Sequence, residues 1–267
     1  PGINKFKNGD KVVLHWIKNK GFQSSTPKYY CNNEVINAGW VTTFNEYAVV
    51  SENRITKVET KYPLDKMCLY GCSVLTSFGL IKNVIKKVKK NSKLLIIGSG
   101  GIGQLLLIAS KNYFNNIEID VIDKKKSALN SAKLLGANQV YEIGKLNEKL
   151  IINNYDICIV TTGKINSITL GIKSIFEGGI CYLLGVPPKN KSVKFNAWNV
   201  MHNRTIKGNL GGNSNPKEDI KKIMNLDKSK KINLNKIINK KFNFLEINKA
   251  IKFFRSSKNN GRIILKF

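Results

Sequence analysis

The chain contains no uninterrupted apolar run of about 18–20 residues, the length that a membrane-spanning helix requires. Its first residues, PGINKFKNGDKV, include no apolar core of a secretory signal peptide. We therefore expect a protein without a membrane partner. An initiator methionine is also lacking, which is typical of a processed chain or a fragment.

Paired cysteines are another absence. The five cysteines (Cys31, Cys68, Cys72, Cys158 and Cys181) form no C-x-x-C pair and no spacing typical of a disulfide framework. Two of them stand in apolar segments, where cysteine usually acts as a small hydrophobic residue. This usage fits a reducing compartment and predicts a cytoplasmic protein. The only histidines, His15 and His202, are interpreted as structural.

Acidic residues are few: 17 Asp and Glu stand against 45 Lys and Arg, a net charge of +28. Such a charge raises the hypothesis of nucleic-acid binding. The basic residues are spread from end to end, however, and clusters such as Lys228–Lys231 are not interleaved with aromatic residues. The abundance of Lys, Asn and Ile together indicates an AT-rich coding bias. We expect no nucleic-acid partner, and a charge that attracts anionic ligands instead.

The sequence does contain a strand–turn–helix–strand unit between Lys93 and Asp123. Its predicted elements are the strand Leu94–Ile97, the helix Gln104–Ser110 and the strand Ile117–Ile122. Between the first strand and the helix, Gly98, Gly100 and Gly103 have G-x-G-x-x-G spacing. The first glycine permits a tight turn, the second lets a pyrophosphate approach the backbone, and the third lets helix and strand pack closely. The unit predicts a dinucleotide site, with the pyrophosphate at the helix N-terminus.

Asp123 ends the second strand of this unit, twenty residues after Gly103. A carboxylate there accepts hydrogen bonds from the adenosine ribose hydroxyls and repels a 2′-phosphate. It therefore favours NAD over NADP. The three lysines that follow, Lys124, Lys125 and Lys126, could reach a phosphate, although an exposed lysine run is usually the solvated start of a helix.

The alternation of strands and helices continues after Asp123 and predicts an α/β fold with a doubly wound parallel sheet. The predicted strands are Gln139–Tyr141, Asp156–Val160 and Ile180–Leu184, and the predicted helices are Ser127–Leu135, Asn147–Ile152 and Ile168–Phe176, the last ended by Gly178 and Gly179. Ligands of such sheets bind at the carboxyl ends of the strands. The residues at two of these ends are candidate cofactor contacts: Thr161, Gly163, Leu184, Gly185 and Val186. An ordinary exit from a strand into a loop is the equally weighted alternative.

The flanking regions differ from this pattern. The first 62 residues are β-rich, with predicted strands at Lys11–Trp16, Thr43–Ser51 and Ile55–Val58 and an irregular loop at Asn19–Gly39. A mainly helical stretch follows at Leu64–Val88. Near the end of the chain the pattern predicts the helices Lys217–Met224 and Ile247–Phe254 and a terminal strand, Gly261–Phe267.

Several short segments occur in an order and spacing that are specific as a set. They are GDKVV at Gly9–Val13, TTFNEYAVV at Thr42–Val50, GCSVLTSFG at Gly71–Gly79, GSGGIG at Gly98–Gly103, AKLLGA at Ala132–Ala137, LGVPP at Leu184–Pro188, RTIKG at Arg204–Gly208 and the terminal GRIILKF. Together they resemble the C-terminal three-quarters of a zinc-type, medium-chain alcohol dehydrogenase. Among these dehydrogenases, the motifs most resemble the class that includes glutathione-dependent formaldehyde dehydrogenase.

The resemblance implies a division of the chain and a set of roles. Residues 1–73 would be the remnant of a GroES-like catalytic domain, residues 74–210 an NAD-binding Rossmann domain, and residues 211–267 a return to the catalytic domain. The resemblance makes Cys72 a ligand of catalytic zinc, Thr76 a contact of the nicotinamide, and Arg262 a contact of the cofactor pyrophosphate. Within the glycine-rich turn it adds Gly101 and Ile102 to the cofactor contacts. It also implies a homodimer, formed by strands between Val193 and Gly208.

The sequence departs from the family pattern in several places. The segment that carries the family's other zinc ligands, a Cys and a His, and its proton-relay hydroxyl would lie upstream of Pro1. The four-cysteine lobe for structural zinc is replaced by Asn19–Tyr30, which has no cysteine. A ribose-contacting lysine of the family falls on Ala128, and the NLGGN stretch at Asn209–Asn213 is one residue shorter.

These patterns predict a cytoplasmic, NAD-dependent, zinc-assisted oxidoreductase that interconverts a small-molecule alcohol and an aldehyde or ketone by hydride transfer. The chain as given would be an incomplete enzyme. One alternative is a zinc-independent, quinone-type reductase that uses NADPH, which Asp123 and Cys72 disfavour. The other is a truncated chain that binds cofactor without catalysis.

Overall fold

The region before the first helix forms two small antiparallel strand pairs in the computed structural model, which describes residues 3, 5–59, 61–85 and 88–267. Strand β1 (Val12–Leu14) pairs with β4 (Ile55–Lys57), and β2 (Tyr29–Cys31) pairs with β3 (Glu34–Ile36). The first pair packs on the core through Val13, which is buried. The second pair is mostly exposed. The predicted strands at Lys11–Trp16 and Ile55–Val58 are confirmed in shorter form.

Two predictions for this region were wrong. The loop predicted at Asn19–Gly39 contains the β2–β3 hairpin, whose two turn residues, Asn32 and Asn33, both have positive φ. Asparagine tolerates that conformation, so this dipeptide closes a two-residue hairpin. The strand predicted at Thr43–Ser51 is irregular, because no neighbouring segment among the described residues supplies a ladder for its backbone. Instead, the Val49 N–H donates to the Tyr29 hydroxyl at 2.8 Å.

A continuous helical segment, Leu64–Val84, crosses the core and approaches the glycine-rich turn. It comprises α1 (Leu64–Met67), a π-helical turn, α2 (Leu75–Gly79) and a second π-helical turn. By length and composition this segment could cross a membrane, but 67% of its most apolar window is buried inside the fold. Such burial is typical of a core helix. The sequence prediction extended this helix to Val88; residues 86 and 87 lie outside the described part of the chain.

A six-stranded, all-parallel sheet forms the centre of the structure. Its strands are β5 (Lys93–Ile97), β6 (Glu118–Asp123), β7 (Val140–Glu142), β8 (Tyr155–Val160), β9 (Ile175–Leu183) and β10 (Thr205–Gly208). Their order across the sheet is β10-β9-β8-β5-β6-β7. After Lys93, strand β5 is apolar because alternate side chains enter separate cores on the two faces, Leu94 and Ile96 on one, Leu95 and Ile97 on the other. The predicted doubly wound sheet is confirmed, and its order reverses beside β5, where such sheets bind ligands.

Helices cover both faces of this sheet: α3 (Gly101–Tyr113), α4 (Lys126–Leu134) and α5 (Ile165–Ser174). The helix predicted at Asn147–Ile152 is only a 3₁₀ turn, Glu148–Leu150. The helix predicted to reach Phe176 ends at Ser174, and β9 already begins at Ile175. Gly178, predicted to end that helix, has a φ of 79° and lies inside β9, an irregular strand.

The end of the chain adds a short helix, α6 (Trp198–Met201), then α7 (Pro216–Lys228), and a strand–helix–strand unit. In that unit β11 (Ile238–Asn243) and β12 (Arg262–Lys266) pair in parallel, with α8 (Ile247–Arg255) between them in sequence. The sequence patterns predicted α7, α8 and β12 and missed β11, which is half exposed and rich in lysine.

A buried polar network joins α7 to the start of the helical segment. The Asp227 carboxylate accepts hydrogen bonds from the Tyr62 hydroxyl at 2.8 Å, the Lys66 ammonium at 2.7 Å and the Leu234 N–H at 3.0 Å. Burial opposes ionisation of Asp227, but these donors outweigh it and hold its pKa below the usual value.

Candidate functional site

The glycine-rich turn lies between β5 and α3, at the carboxyl edge of the sheet. A Cβ atom on Gly103 would lie only 1.9 Å from the Gly98 carbonyl oxygen, so helix and turn pack more closely than any side chain allows. At Gly100 a Cβ would meet nothing within 4 Å. No side chain caps the N-terminus of α3. The first N–H groups of this helix therefore have no capping side chain, which leaves them available to an anion.

Asp123 stands at the end of the neighbouring strand, beside this turn. Its two carboxylate oxygens accept hydrogen bonds from the Ser99 N–H at 2.6 Å and the Lys125 N–H at 2.8 Å. The side chain of Lys125 points elsewhere, because its ammonium donates to the Ser256 carbonyl at 2.8 Å. Lys124 and Lys126 are exposed. Two backbone donors thus hold the Asp123 carboxylate in a fixed position beside the turn.

Arg262 approaches the same helix start from β12, the last strand of the chain. A Cβ on Gly101 would lie 2.2 Å from the Arg262 Nε atom, so the guanidinium packs directly on the turn. Burial lowers its pKa, and the nearby thiols of Cys72 and Cys68 oppose that effect. The Nε atom is buried, and nothing in the part of the chain that the structure describes accepts its hydrogen bond. A buried, unpartnered guanidinium nitrogen beside free helix N–H groups fits the pyrophosphate of a dinucleotide.

The carboxyl ends of β8 and β9 form a wall next to the turn. The Thr161 hydroxyl oxygen lies 3.1 Å from the Ile97 carbonyl oxygen and 3.0 Å from the Gly98 carbonyl oxygen, and it can donate its hydrogen to either. A Cβ on Gly163 would lie 2.1 Å from the Val186 carbonyl oxygen, and a Cβ on Gly185 would lie equally close to Thr162. The two strand exits are therefore in contact.

The wall's other predicted members are Leu184 and Val186. The Leu184 N–H is used within the sheet, donating to Val160 at 2.9 Å. Val186 is 78% exposed and offers an apolar surface. The structure thus brings the predicted residues of both strand ends to the edge that carries Gly98–Gly103.

Cys72 and Thr76 lie one turn apart on the helical segment. Cys72 is exposed and lies near the Arg262 guanidinium. Thr76 is half-buried, and its carbonyl would lie 2.6 Å from a Cβ on Gly212, so the turn after β10 packs on this part of the helix. The segment Asn209–Asn213 therefore borders the predicted nicotinamide side of the site.

A metal site is not formed by the described residues, among which no three His, Cys, Asp or Glu side chains are grouped. Cys68, four residues before Cys72, bonds through its thiol to the Asp65 carbonyl at 3.2 Å. Burial and the Asp65 charge raise the pKa of that thiol to about 11, which disfavours a thiolate ligand. The donors that these residues present do not fit catalytic zinc, which takes three protein ligands.

The side chains of the two histidines contact groups other than Cys72. His15 is buried, with Nδ1 2.7 Å from the Ile17 carbonyl oxygen and Nε2 3.0 Å from the Thr56 hydroxyl. Burial lowers the pKa of His15, which favours the neutral ring. His202 lies beside Glu177, at 3.8 Å. Neither ring is grouped with a second and third metal donor.

One residue near the turn had no predicted role. Gln104 follows Gly103 on α3, is 1% exposed, and donates to the Ser99 carbonyl at 3.1 Å. The only signal in the sequence is a polar residue on the apolar face of a helix.

Comparison with known proteins gives matches over most of the chain, although no family model matches. Alcohol dehydrogenase 1 of Petunia hybrida is 29% identical over 221 residues, covering 79% of this chain and 57% of that protein. Alcohol dehydrogenase class-P of Arabidopsis thaliana is 29% identical over 220 residues, covering 79% and 58%. The chain therefore spans little more than half the length of these curated relatives.

Solved structures of similar fold cover more of the chain. Benzyl alcohol dehydrogenase from Acinetobacter calcoaceticus superposes with a TM-score of 0.82 at 23% identity, covering 100% of this chain and 80% of that one. An alcohol dehydrogenase zinc-binding domain protein from Burkholderia ambifaria gives a TM-score of 0.74 at 22% identity, covering 82% and 60%. At these identities the structures establish the shared fold.

Proposed function

Starting from the chain's relationship to the zinc-type, medium-chain alcohol dehydrogenases, which its motifs, relatives and fold support together, we propose that it binds NAD and belongs to an oxidoreductase acting on small-molecule alcohols or aldehydes. The observation that carries the proposal is the buried Nε atom of Arg262, which lacks a partner among the described residues and faces the start of α3. An anion at that point would accept hydrogen bonds from the Arg262 Nε–H group and from the first N–H groups of α3.

Three features support NAD as the proposed cofactor. The N–H groups at the start of α3 and the Arg262 guanidinium hold the pyrophosphate. The Asp123 carboxylate accepts the adenosine ribose hydroxyls, and its charge disfavours a 2′-phosphate. Thr76, Thr161 and the Leu184–Val186 exit enclose the nicotinamide half. When bound, NAD supplies the hydride acceptor, and these residues orient it and exclude water from one face.

The described residues do not supply a site for catalytic zinc, because Cys72 is a single thiol without two further grouped donors among them. These residues therefore support no catalytic step through zinc. The same observation supports the second candidate function, a chain that binds cofactor without oxidising alcohol. In this proposal, residues 1–73 belong to the catalytic domain, residues 74–210 form the Rossmann domain, and residues 211–267 return to the catalytic domain. The proposed compartment is the cytoplasm.

Binding of NADH tests the proposal directly. We expect the purified chain to enhance and blue-shift NADH fluorescence in a saturable titration, with NADPH binding more weakly. Arg262→Gln should weaken NADH binding, while His15→Gln, a buried polar change elsewhere in the fold, serves as the control. A chain that folds but binds neither nucleotide would contradict the proposed function.

A further inference from the structure

The side chain of Gln104 links the glycine-rich turn to the segment that carries Arg262. Its Nε2 atom donates to the Ser99 carbonyl, inside the turn, at 3.1 Å. The same nitrogen donates to the Asn260 carbonyl, two residues before Arg262 and 156 residues away in sequence. Both hydrogens of the amide are therefore used, one on the turn and one on the segment that leads to Arg262.

The loop between α8 and β12 accepts further hydrogen bonds from the proposed Rossmann domain, but their donors are more exposed than Gln104. The Ser127 hydroxyl donates to the Ser257 carbonyl at 3.0 Å, and the Lys125 ammonium donates to Ser256. Gln104 alone among these donors is fully buried and contacts the turn itself. A buried amide that bridges two carbonyls is costly to replace, because the carbonyls lose their donor inside the fold.

We propose that Gln104 is a positioning residue for the cofactor: it holds Arg262 against the start of α3 so that the guanidinium and the helix N–H groups converge on one pyrophosphate. The inference rests on the proposed cofactor function. It follows from geometry, since Arg262 has no hydrogen bond at Nε among the described residues that could fix it there. Its placement therefore depends on its backbone, which the Asn260 carbonyl anchors to Gln104.

Gln104→Met and Gln104→Glu test the role, the first removing the amide and the second keeping its size but not its donors. We expect each to weaken NADH and ADP-ribose binding about tenfold, while binding of adenosine, which has no pyrophosphate, changes less than about twofold. Ser110→Ala is the matched control on the same helix, since its buried hydroxyl has no partner in the described chain.

Two further readouts separate positioning from a general loss of structure. In the Arg262→Gln background, Gln104→Met should add little, because both changes act on one contact. Hydrogen exchange of the peptide spanning residues 256–267 should be faster in both Gln104 variants, and this measurement needs no cofactor. Unchanged exchange, equal weakening of adenosine, or a full additive effect in the double variant would each overturn the inference. A wild-type chain that fails to bind NADH would instead overturn the proposed function.

Discussion

Replacing Asp123 by Ser should largely abolish a preference for NADH over NADPH. The carboxylate is fixed by two backbone donors, Ser99 and Lys125, at 2.6 and 2.8 Å, so it cannot easily turn away from a bound ribose. A 2′-phosphate about 5 Å away would be repelled by about 3 kcal/mol per unit charge at an effective dielectric constant of about 20. Solvent at the open site reduces this value, so we expect a preference of about 10- to 100-fold.

The serine hydroxyl keeps one acceptor for the turn but removes the charge. The ratio of the dissociation constants of NADPH and NADH should then fall to within about threefold of unity. The lost acceptor should lower the free energy of unfolding by about 1–2 kcal/mol. Fluorescence titration with both nucleotides measures the first quantity, and urea unfolding measures the second.

Asp120→Asn is the matched control, because Asp120 lies on the same strand but accepts hydrogen bonds from Tyr155 and Gln139, away from the turn. It should leave the nucleotide preference unchanged. Equal or tighter binding of NADPH by the unmodified chain would refute the role of Asp123. So would an Asp123→Ser variant that folds and retains the original ratio.

Four other outcomes are expected, and the dimer among them rests on the family resemblance alone. Gly103→Ala should weaken NADH binding more than about tenfold in a titration, since its methyl group would force the turn and α3 apart. Metal analysis of the chain should find less than one equivalent of zinc, with no NAD reduction by a panel of alcohols, and Cys72→Ser should leave NADH binding intact. Light scattering should give twice the 30.0 kDa chain mass, and Trp198→Asp, in the exposed segment before the edge strand β10, should give the monomer; a monomeric wild type would contradict the dimer. Asp227→Ala should cost about 3 kcal/mol in urea unfolding at pH 7, because Lys66 loses its partner. Because the native pKa of Asp227 is lowered, its contribution is present above the usual value of 3.8 and is lost as the pH falls through the native pKa, so the difference between the proteins should shrink at pH 3.

The strands of the central sheet were predictable because their signals are local. Strands β5 and β8 are predominantly apolar, β6 has buried apolar residues at Ile119, Val121 and Ile122, and the structure gives all three strands within one residue of the predicted bounds. A strand buried on both faces needs apolar side chains at every position, so its pattern hardly depends on which neighbours cover it.

The exposed strands were not predictable in this way. Strand β11 and the β2–β3 hairpin are half or fully exposed, so burial imposes no period on their side chains. The reverse error arose at Thr43–Ser51, where an alternating pattern has no partner strand among the described residues. Pairing partners are a property of the folded chain, and β propensity depends on them.

The sequence by itself determined the dinucleotide unit: the glycine spacing, the buried strands on either side and the acid that follows. These features depend on residues within about thirty positions of one another, where chain connectivity already fixes the geometry. Only the tertiary structure decided that Arg262 packs on Gly101 and that Gln104 joins the turn to the Arg262 segment. Those contacts join residues more than 150 positions apart, and no local pattern encodes which carbonyl a buried amide will meet. They arise because the start of α3 lies against the Arg262 segment, and burial then requires the polar groups there to find partners.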